Sequence, residues 1–516
     1  MLILKNVNLT LTRDLRVLLE DFSFSLQSDM KVALIGEEGN GKSTLLKLIA
    51  EPETLKDYME IEGEIITSGE VLGYLPQVPS ERALRQTTLD FFEERCDHDN
   101  FDYAHFYALL REIGFPEDRI SSTIALGDLS GGEKIKFQLL CEMTKKPTLL
   151  LLDEPSNDLD VESVRWLEQF ILNSRIPIMF VSHDEMLLER CANTIIHLEQ
   201  LMRKRKPQHT IARLSYAEYV ERRDENISRQ TQLAKKERDE FDQKMERYRQ
   251  IYQRVHHEQK KVSRQDPSAA KNLKDKMRSV KSMGKRFEKE RENLTKRPDF
   301  EESIGVRFDE GVSIPQGKVI LDLHLETLSI ANRVLSRDVH LSIAGPTKVC
   351  IIGSNGVGKT TLLRHALVAL RDRGVKYGYM PQDYSEMMDP EQNAIQFLTV
   401  TGTKEEHTKV RTYLGSMNFT AEEMHHPIND LSGGQRAKLY FSKMILEKAE
   451  VLVMDEPTRN LSPLSGPEIR AALKEFGGCI VAVSHDRKFI TEVFDRTLLL
   501  SRDGLREVSV AQWDEA

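Results

Sequence analysis

No apolar run of about 18 residues, the length a membrane-spanning helix needs, occurs in this sequence. Nothing in it is therefore expected to cross a bilayer unaided. Met1-Leu2-Ile3-Leu4-Lys5-Asn6-Val7 shows no basic stretch followed by a long apolar one, so no signal peptide is expected either. Cysteine is scarce: Cys96, Cys141, Cys191, Cys350 and Cys479 are scattered without paired spacing. That excludes a disulfide frame or a zinc site of the usual kind and suits a reducing cytoplasm. A uniform charge is also missing. The chain carries −9 overall, yet residues 201–300 hold 29 Lys+Arg against 16 Asp+Glu, a net +13 that leaves −22 for the rest. Two acidic lobes joined by a basic segment suggest that the segment meets a polyanion.

What is present is a repeated order of motifs. The 516 residues suggest several domains, and the repeat says where they fall. Lys31-Val32-Ala33-Leu34-Ile35 reads as a buried strand running into Gly36-Glu37-Glu38-Gly39-Asn40-Gly41-Lys42-Ser43, followed by Thr44 and a helical pattern. Strand, glycine-rich loop and helix are the context in which backbone N–H groups cradle phosphates. There the Lys meets the β- and γ-phosphates and the Ser ligates Mg²⁺. The second copy is Val349-Cys350-Ile351-Ile352 leading into Gly353-Ser354-Asn355-Gly356-Val357-Gly358-Lys359-Thr360-Thr361.

Each loop is followed by a short strand ending in Pro-Gln, with Gln77 and Gln382 as candidate metal and water contacts. Next come the pentads Leu129-Ser130-Gly131-Gly132-Glu133 and Leu431-Ser432-Gly433-Gly434-Gln435. A Ser and two Gly at a helix start offer N–H groups to an anion, and no Cβ keeps the phosphate away. A lone pentad could equally be a glycine-rich helix cap. Its place before an apolar strand ending in Asp-Glu, twice, favours the anion. Those strands deliver Asp153-Glu154 and Asp455-Glu456 to their C-terminal ends, where α/β sheets bind ligands. Asp153 and Asp455 are candidate Mg²⁺ residues, and Glu154 and Glu456 candidates to activate water. His183 and His485 follow one further buried strand and are candidate γ-phosphate contacts. The spacing from Lys359 to Gln382 is 23 against 35 from Lys42 to Gln77, so the second lobe has lost a connection there.

Between the lobes, residues 213–258 and 268–296 are charge-rich with apolar seven-residue repeats. Phe241, Met245, Tyr248, Tyr252 and Val255 carry the first repeat; Leu273, Met277, Val280 and Phe287 carry the second, with Gly284 in a seam position. These read as two long helices folded back on each other, reaching roughly 65 Å and about 40 Å. The turn lies near 259–265, and Asp266-Pro267 looks like a helix cap followed by Pro at the first helical position. Expected boundaries are 1–200, 201–305 with its tip near 256–268, and 306–516. The overall class is α/β, two phosphate-loop domains joined by a helical hairpin. A stiff basic hairpin suits phosphate pairing along its length, with the working side chains at its tip. An ordinary protein-binding coiled coil is the alternative.

The order phosphate loop, Gln, pentad, Asp-Glu and His, occurring twice, resembles the ATP-binding cassette superfamily. The resemblance implies two cassettes meeting head to tail within one monomer, with ATP and Mg²⁺ held between one lobe's loop and the other lobe's pentad. Site one would join Gly36–Ser43, Gln77, Asp153, Glu154 and His183 to Ser432, Gly433, Gly434 and Gln435. Site two would join Gly353–Thr361, Gln382, Asp455, Glu456 and His485 to Ser130, Gly131, Gly132 and Glu133. Two departures from the superfamily's pattern stand out. No aromatic lies around Leu9–Asp14 or 331–334 to stack on adenine, which leaves base selectivity open and GTP as an alternative. Ser462 stands where the first lobe has Asp160, which leaves the equivalence of the sites open, although both keep the Glu.

Tandem cassettes without a membrane segment and with this linker resemble the ABC-F family of cytoplasmic ATPases. That resemblance implies binding at the exit site of the 70S ribosome, against 23S rRNA and the P-site tRNA, with the linker tip directed toward the peptidyl-transferase centre. No stable membrane partner is then expected. Some members of the family assist translation and others dislodge antibiotics. The long linker and the lack of a large insertion in the first lobe lean toward the second role. The tip residues His256, His257, Lys260, Lys261, Val262, Ser263, Arg264 and Gln265 are then the candidate RNA contacts. The ATPase subunit of a drug exporter is a remoter alternative, since it offers no task for a basic hairpin.

Overall fold

A computed structural model of the chain describes all residues except 1, 68, 97–100, 158, 202–205, 262–266, 293–294, 296–311, 331–332, 418, 460 and 510–516. Two compact units result. One holds both α/β halves; the other is Ala217–Phe300. Among the described residues no helix is long and apolar enough to cross a membrane.

The first half opens with β1 (Ile3–Leu11) and β2 (Val17–Ser25), which pair antiparallel with irregular register in a three-stranded sheet and bury Leu4, Val7, Leu9, Leu19 and Phe22. Next comes β3 (Lys31–Ile35), buried at every position, as a central parallel strand must be when both faces are covered. The phosphate loop then leads into α1 (Lys42–Ala50), followed by β4 (Met59–Ile66), which completes the antiparallel sheet, and β5 (Leu72–Leu75). Three short helices, α2 (Glu81–Arg85), α3 (Thr88–Arg95) and α4 (Tyr103–Ile113), form a small subdomain around Phe91, Phe106 and Phe137. Then follow α5 (Gly131–Thr144), β6 (Leu149–Asp153), α6 (Val161–Asn173), β7 (Ile178–Val181), α7 (Glu185–Cys191), β8 (Thr194–Gln200) and β9 (Lys206–Ala212). The main sheet runs β5-β6-β7-β3-β8-β9, parallel except for β9, which pairs antiparallel with β8. The first half thus extends to Ala212, past the expected boundary at 200. Pro207 and exposed polar side chains are tolerated in β9 because it is an edge strand.

The second unit is a helical pair, α8 (Tyr216–Lys261) and α9 (Pro267–Glu292). Val255, Met277 and Val280 are buried together against Tyr248 and Tyr252. Phe287 meets Phe241 and Tyr248 edge-on, with centroids 6.4 and 5.7 Å apart. Gly284 lies under the Tyr248 hydroxyl, where a Cβ would come within 2.5 Å of the oxygen. The seam glycine makes room for that ring. Near the turn, Gln259 Nε2 donates to the Leu273 carbonyl at 3.1 Å.

The second half repeats the first: β10 (Val319–Ile330), β11 (Arg333–Ala344), β12 (Lys348–Ile352), α10 (Lys359–Asp372), β13 (Tyr377–Met380), α11 (Ala394–Leu398), α12 (Lys404–Ser416), α13 (Gly433–Leu446), β14 (Val451–Asp455), α14 (Gly466–Glu475), β15 (Cys479–Val483), α15 (Arg487–Val493), β16 (Arg496–Ser501) and β17 (Gly504–Val508). Its main sheet has the same order, β13-β14-β15-β12-β16-β17. Its antiparallel sheet has only β10 and β11 among the described residues. The counterpart of β4 is the connection missing from the shorter Lys359-to-Gln382 spacing.

The halves are joined by buried charges. Arg470 of α14 donates to Glu185 of α7 at 2.5 and 3.2 Å and to Glu492 at 2.7 Å. Arg487 of α15 bonds Glu168 of α6, which also receives Arg190. Lys488 reaches Glu185 and Glu189. A Cβ on Gly466 would run into the Glu185 carboxylate and the Arg470 guanidinium, so a larger residue at the start of α14 would require this pair to shift. Glu185 and Arg470 are 7 % and 4 % exposed, and removing Arg470 leaves the buried Glu185 carboxylate with Lys488 alone, at 3.3 Å. Arg470→Ala is expected to cost about 3–5 kcal/mol in urea unfolding followed by Trp166 fluorescence. The double change Glu185→Leu with Arg470→Met is expected to cost less than that single one.

Candidate functional site

Both phosphate loops fold around their own lysine. Lys42 Nζ donates to the carbonyls of Gly36 and Glu37 at 2.8 and 3.0 Å; Lys359 Nζ does so to Gly353 and Ser354 at 2.8 and 3.2 Å. Gly36 and Gly353 hold φ of +142° and +152°. A Cβ there would collide with the carbonyls of Leu198 and Leu500 in the neighbouring strands. The loop can bend onto the sheet only with glycine at its first position.

At the strand ends, Ser43 Oγ donates to Asp153 Oδ1 at 2.9 Å, and Thr360 bonds Asp455. Asp153 Oδ2 and Asp455 Oδ2 are buried with no protein partner. Burial raises both carboxyls, Asp153 to about 6. A hydroxyl beside a carboxylate that keeps an unsatisfied buried oxygen is a donor set suited to a hard divalent cation, so these residues fit Mg²⁺. Glu154 and Glu456, one residue on, both sit at φ +50°, in the left-handed region. Their N–H groups are tied to Val181 and Val483 of the neighbouring strands at 3.1 and 2.9 Å. That turn lifts each carboxylate off the sheet at the cost of local strain.

The two histidines behave differently. His183 Nε2 lies 3.0 Å from Glu154 Oε1, and its Nδ1 lies 2.7 Å from the carbonyl of Leu461 in the other half. Burial opposes its charge, but the Glu154 carboxylate and the Leu461 carbonyl outweigh burial and raise its pKa. His485 Nε2 is 3.7 Å from Glu456 Oε1, and its Nδ1 has no partner. Burial and the Lys359 ammonium push it down to about 3. Burial also holds Glu456 well above the ordinary carboxylate range. The two histidines are therefore pushed in opposite directions, His183 up by its neighbours Glu154 and Leu461 and His485 down by burial and Lys359.

The pentads open α5 and α13. In each the serine hydroxyl and the third helical side chain form a reciprocal capping box, Ser130 with Glu133 and Ser432 with Gln435. The serines are thus spent on their own helices, and the N–H groups that remain belong to the glycines. A cavity of about 840 Å³ joins Gly131, Lys134 and Gln138 of the first half to Gly356, Lys359, Thr360, Thr361, Gln382 and Glu456 of the second. Asp160, which caps α6 of the first half, acts electrostatically on Lys359 and His485 of the second. On the other side, Gly434 N–H donates to Glu38 Oε2 at 2.9 Å and Ser465 Oγ to Glu37 Oε1 at 3.0 Å. Each loop therefore faces the other half's pentad.

Several expected residues are placed otherwise. Asn40 turns inward and its Nδ2 donates to the Leu198 carbonyl at 2.9 Å, while Val357 joins the second hydrophobic core. Both give the loops backbone only, because side chains at that position point into the sheet. Gln77 lines the cavity between the halves, together with His183 of site one and the second half's loop. At the hairpin end His256, His257 and Lys260 are exposed, with His256 stacked on Tyr252. Lys261 closes α8, and Val262, Ser263, Arg264 and Gln265 lie outside the described residues. Sequence reasoning missed the Glu168, Glu185, Arg470 and Arg487 network. Its one legible sign is Glu168, a charge on the buried face of α6 beside Val164, Leu167 and Ile171.

A family model described as ABC transporter matches residues 19–157 and 336–459. Relatives by sequence include the ribosome protection protein VmlR of Bacillus subtilis (strain 168), 28% identical over 94% of this chain and 84% of its own. Another is the probable ATP-binding protein YheS of Escherichia coli (strain K12), 26% identical over 96% of this chain and 78% of its own. ABC transporter F family member 2 of Arabidopsis thaliana is 26% identical over 95% and 75%. Among solved structures, one described as RNase-L Inhibitor superposes with a TM-score of 0.58 at 15% identity, covering 96% of this chain and 89% of that one.

The buried Asp153 carboxyl gives a test through its titration. A carboxyl raised from 3.8 to about 6 stabilises the fold fully below its unfolded pKa, and this contribution is lost as pH rises through the folded one. Without metal or nucleotide, Asp153→Asn should match the parent near pH 4 and exceed it by up to about 3 kcal/mol near pH 8 in denaturant unfolding.

Proposed function

Since the chain belongs to the ABC transporter family and carries that family's ATP-hydrolysing cassettes twice, we propose that it is a monomeric, cytoplasmic ABC-F ATPase. In this reading the ATP-closed form enters the exit site of the 70S ribosome and its linker tip dislodges antibiotics near the peptidyl-transferase centre. The single observation that carries the ribosomal part is the full-length likeness to a ribosome protection protein, joined to a basic two-helix unit between the cassettes. A likeness of similar extent to YheS, described only as a probable ATP-binding protein, does not single out drug protection, and the second reading is a general translation factor that relieves stalled ribosomes.

The chemistry follows from the side chains. Lys42 and Lys359, already aimed into their loops, bind the outer phosphates. Ser43 with Asp153, and Thr360 with Asp455, would hold Mg²⁺, which would neutralise charge on the phosphates. Gln77 and Gln382 line the cavity between the halves. Glu154 and Glu456, raised off the sheet by their left-handed turns, orient the attacking water. His183 bridges Glu154 to Leu461 across the interface, and so ties the water-activating group to closure of the two halves. The glycines of each pentad supply N–H groups to the terminal phosphate from the opposite cassette. Closure therefore requires the triphosphate, and its hydrolysis releases the halves. With no aromatic at the base position, GTP is a competing nucleotide.

Glu154→Gln with Glu456→Gln should trap the closed form. Co-sedimentation of this variant with 70S ribosomes is expected to require ATP and Mg²⁺ and to leave the exit site free of tRNA. EDTA should abolish pelleting, and pelleting that ignores nucleotide would contradict the reading. Alanines across 256–265 should then remove drug protection while leaving ribosome binding in place; protection that survives them would shift the assignment to the translation factor.

A further inference from the structure

We propose that Glu38 sets the order in which the two nucleotide sites fill. Its carboxylate is a built-in anion that holds the second pentad until a nucleotide displaces it. The inference rests on the reading of Gly36–Ser43 and Gly353–Thr360 as nucleotide loops. Gly434 is the second residue of α13, one of the first-turn positions whose N–H has no partner within the helix. Glu38 Oε2 accepts from it at 2.9 Å across the cassette interface. Its neighbour Glu37 accepts from Ser465 Oγ at 3.0 Å, so two successive loop carboxylates clasp the opposite half. A charged acceptor on a helix N-terminus is favoured by both the hydrogen bond and the helix dipole. It therefore occupies the group that the terminal phosphate of a nucleotide would seek.

The second loop has Ser354 and Asn355 at the corresponding positions. Without those carboxylates it opens on the 840 Å³ cavity, whose lining includes Asn355 and Gly131 of the first pentad. Site two accordingly loads first. Site one loads only as Glu38 leaves Gly434, and until then two added negative charges lie beside the position of the phosphates.

Equilibrium dialysis of the full chain with Mg²⁺ and labelled ATPγS tests this. Lys359→Ala leaves site one as the strong site and should bind one equivalent weakly. Adding Glu38→Gln should tighten that equivalent on the order of tenfold, the factor carried by one charge-assisted hydrogen bond. Independently, Asn355→Glu in a Lys42→Ala background should weaken the remaining equivalent by a similar factor, and Glu38→Asn with Asn355→Glu should invert the order of filling. Unchanged or weaker binding on Glu38→Gln, or no weakening on Asn355→Glu, overturns the proposal. Two full-strength equivalents in both Lys42→Ala and Lys359→Ala would instead overturn the assignment of the loops.

Discussion

Arg470 of one cassette lies buried against Glu185 of the other, and Arg487 against Glu168. These charges are out of water, and although Glu492 and Arg190 answer Arg470 and Glu168 from their own halves, the bonds of Arg470 to Glu185 and of Arg487 to Glu168 form only across the interface. Removing a partner weakens a buried charge network, so the pairing of the halves is costly to undo. That constraint fixes which surfaces meet. It brings Leu461 to His183, Gly434 to Glu38, and Gly131 to the cavity of the second loop. The nucleotide chemistry depends on this juxtaposition, because neither loop has its own pentad beside it.

The two composite sites share a plan and differ in charge. Site one meets Ser465 of the other half and carries a Glu154–His183 pair and two loop carboxylates. Site two meets Asp160 instead, with a neutral His485 beside Glu456. A symmetric pair of sites would open and close together. The unequal electrostatics suit a sequence of events in which one site holds and the other decides.

Much of this was legible in the sequence because it is local. A strand, a glycine loop and a helix specify one another over a dozen or so residues, and the seven-residue repeat marked the helical pair down to Gly284 in its seam. The lost connection in the second lobe showed as spacing and proved to be an absent strand. Less local features were hidden. The partners Glu185 and Arg470 are far apart in sequence, and no periodicity relates them. Asn40 and Val357 look like any loop residue until the loop's curvature turns them inward. β9 reads as part of the basic segment because an edge strand with Pro207 carries no alternating apolar pattern.

The central claim is that each nucleotide site is shared between cassettes, and steady-state ATP turnover of paired variants tests it most directly. Lys42→Ala disables the first loop; Gly433→Asp and Gly131→Asp place a negative charge in the second and first pentads. If the sites are shared as described, Lys42→Ala with Gly433→Asp damages one site twice and leaves the turnover of the other, whereas Lys42→Ala with Gly131→Asp abolishes turnover. The opposite pattern, with activity surviving only when both changes fall in the first cassette, would contradict the account.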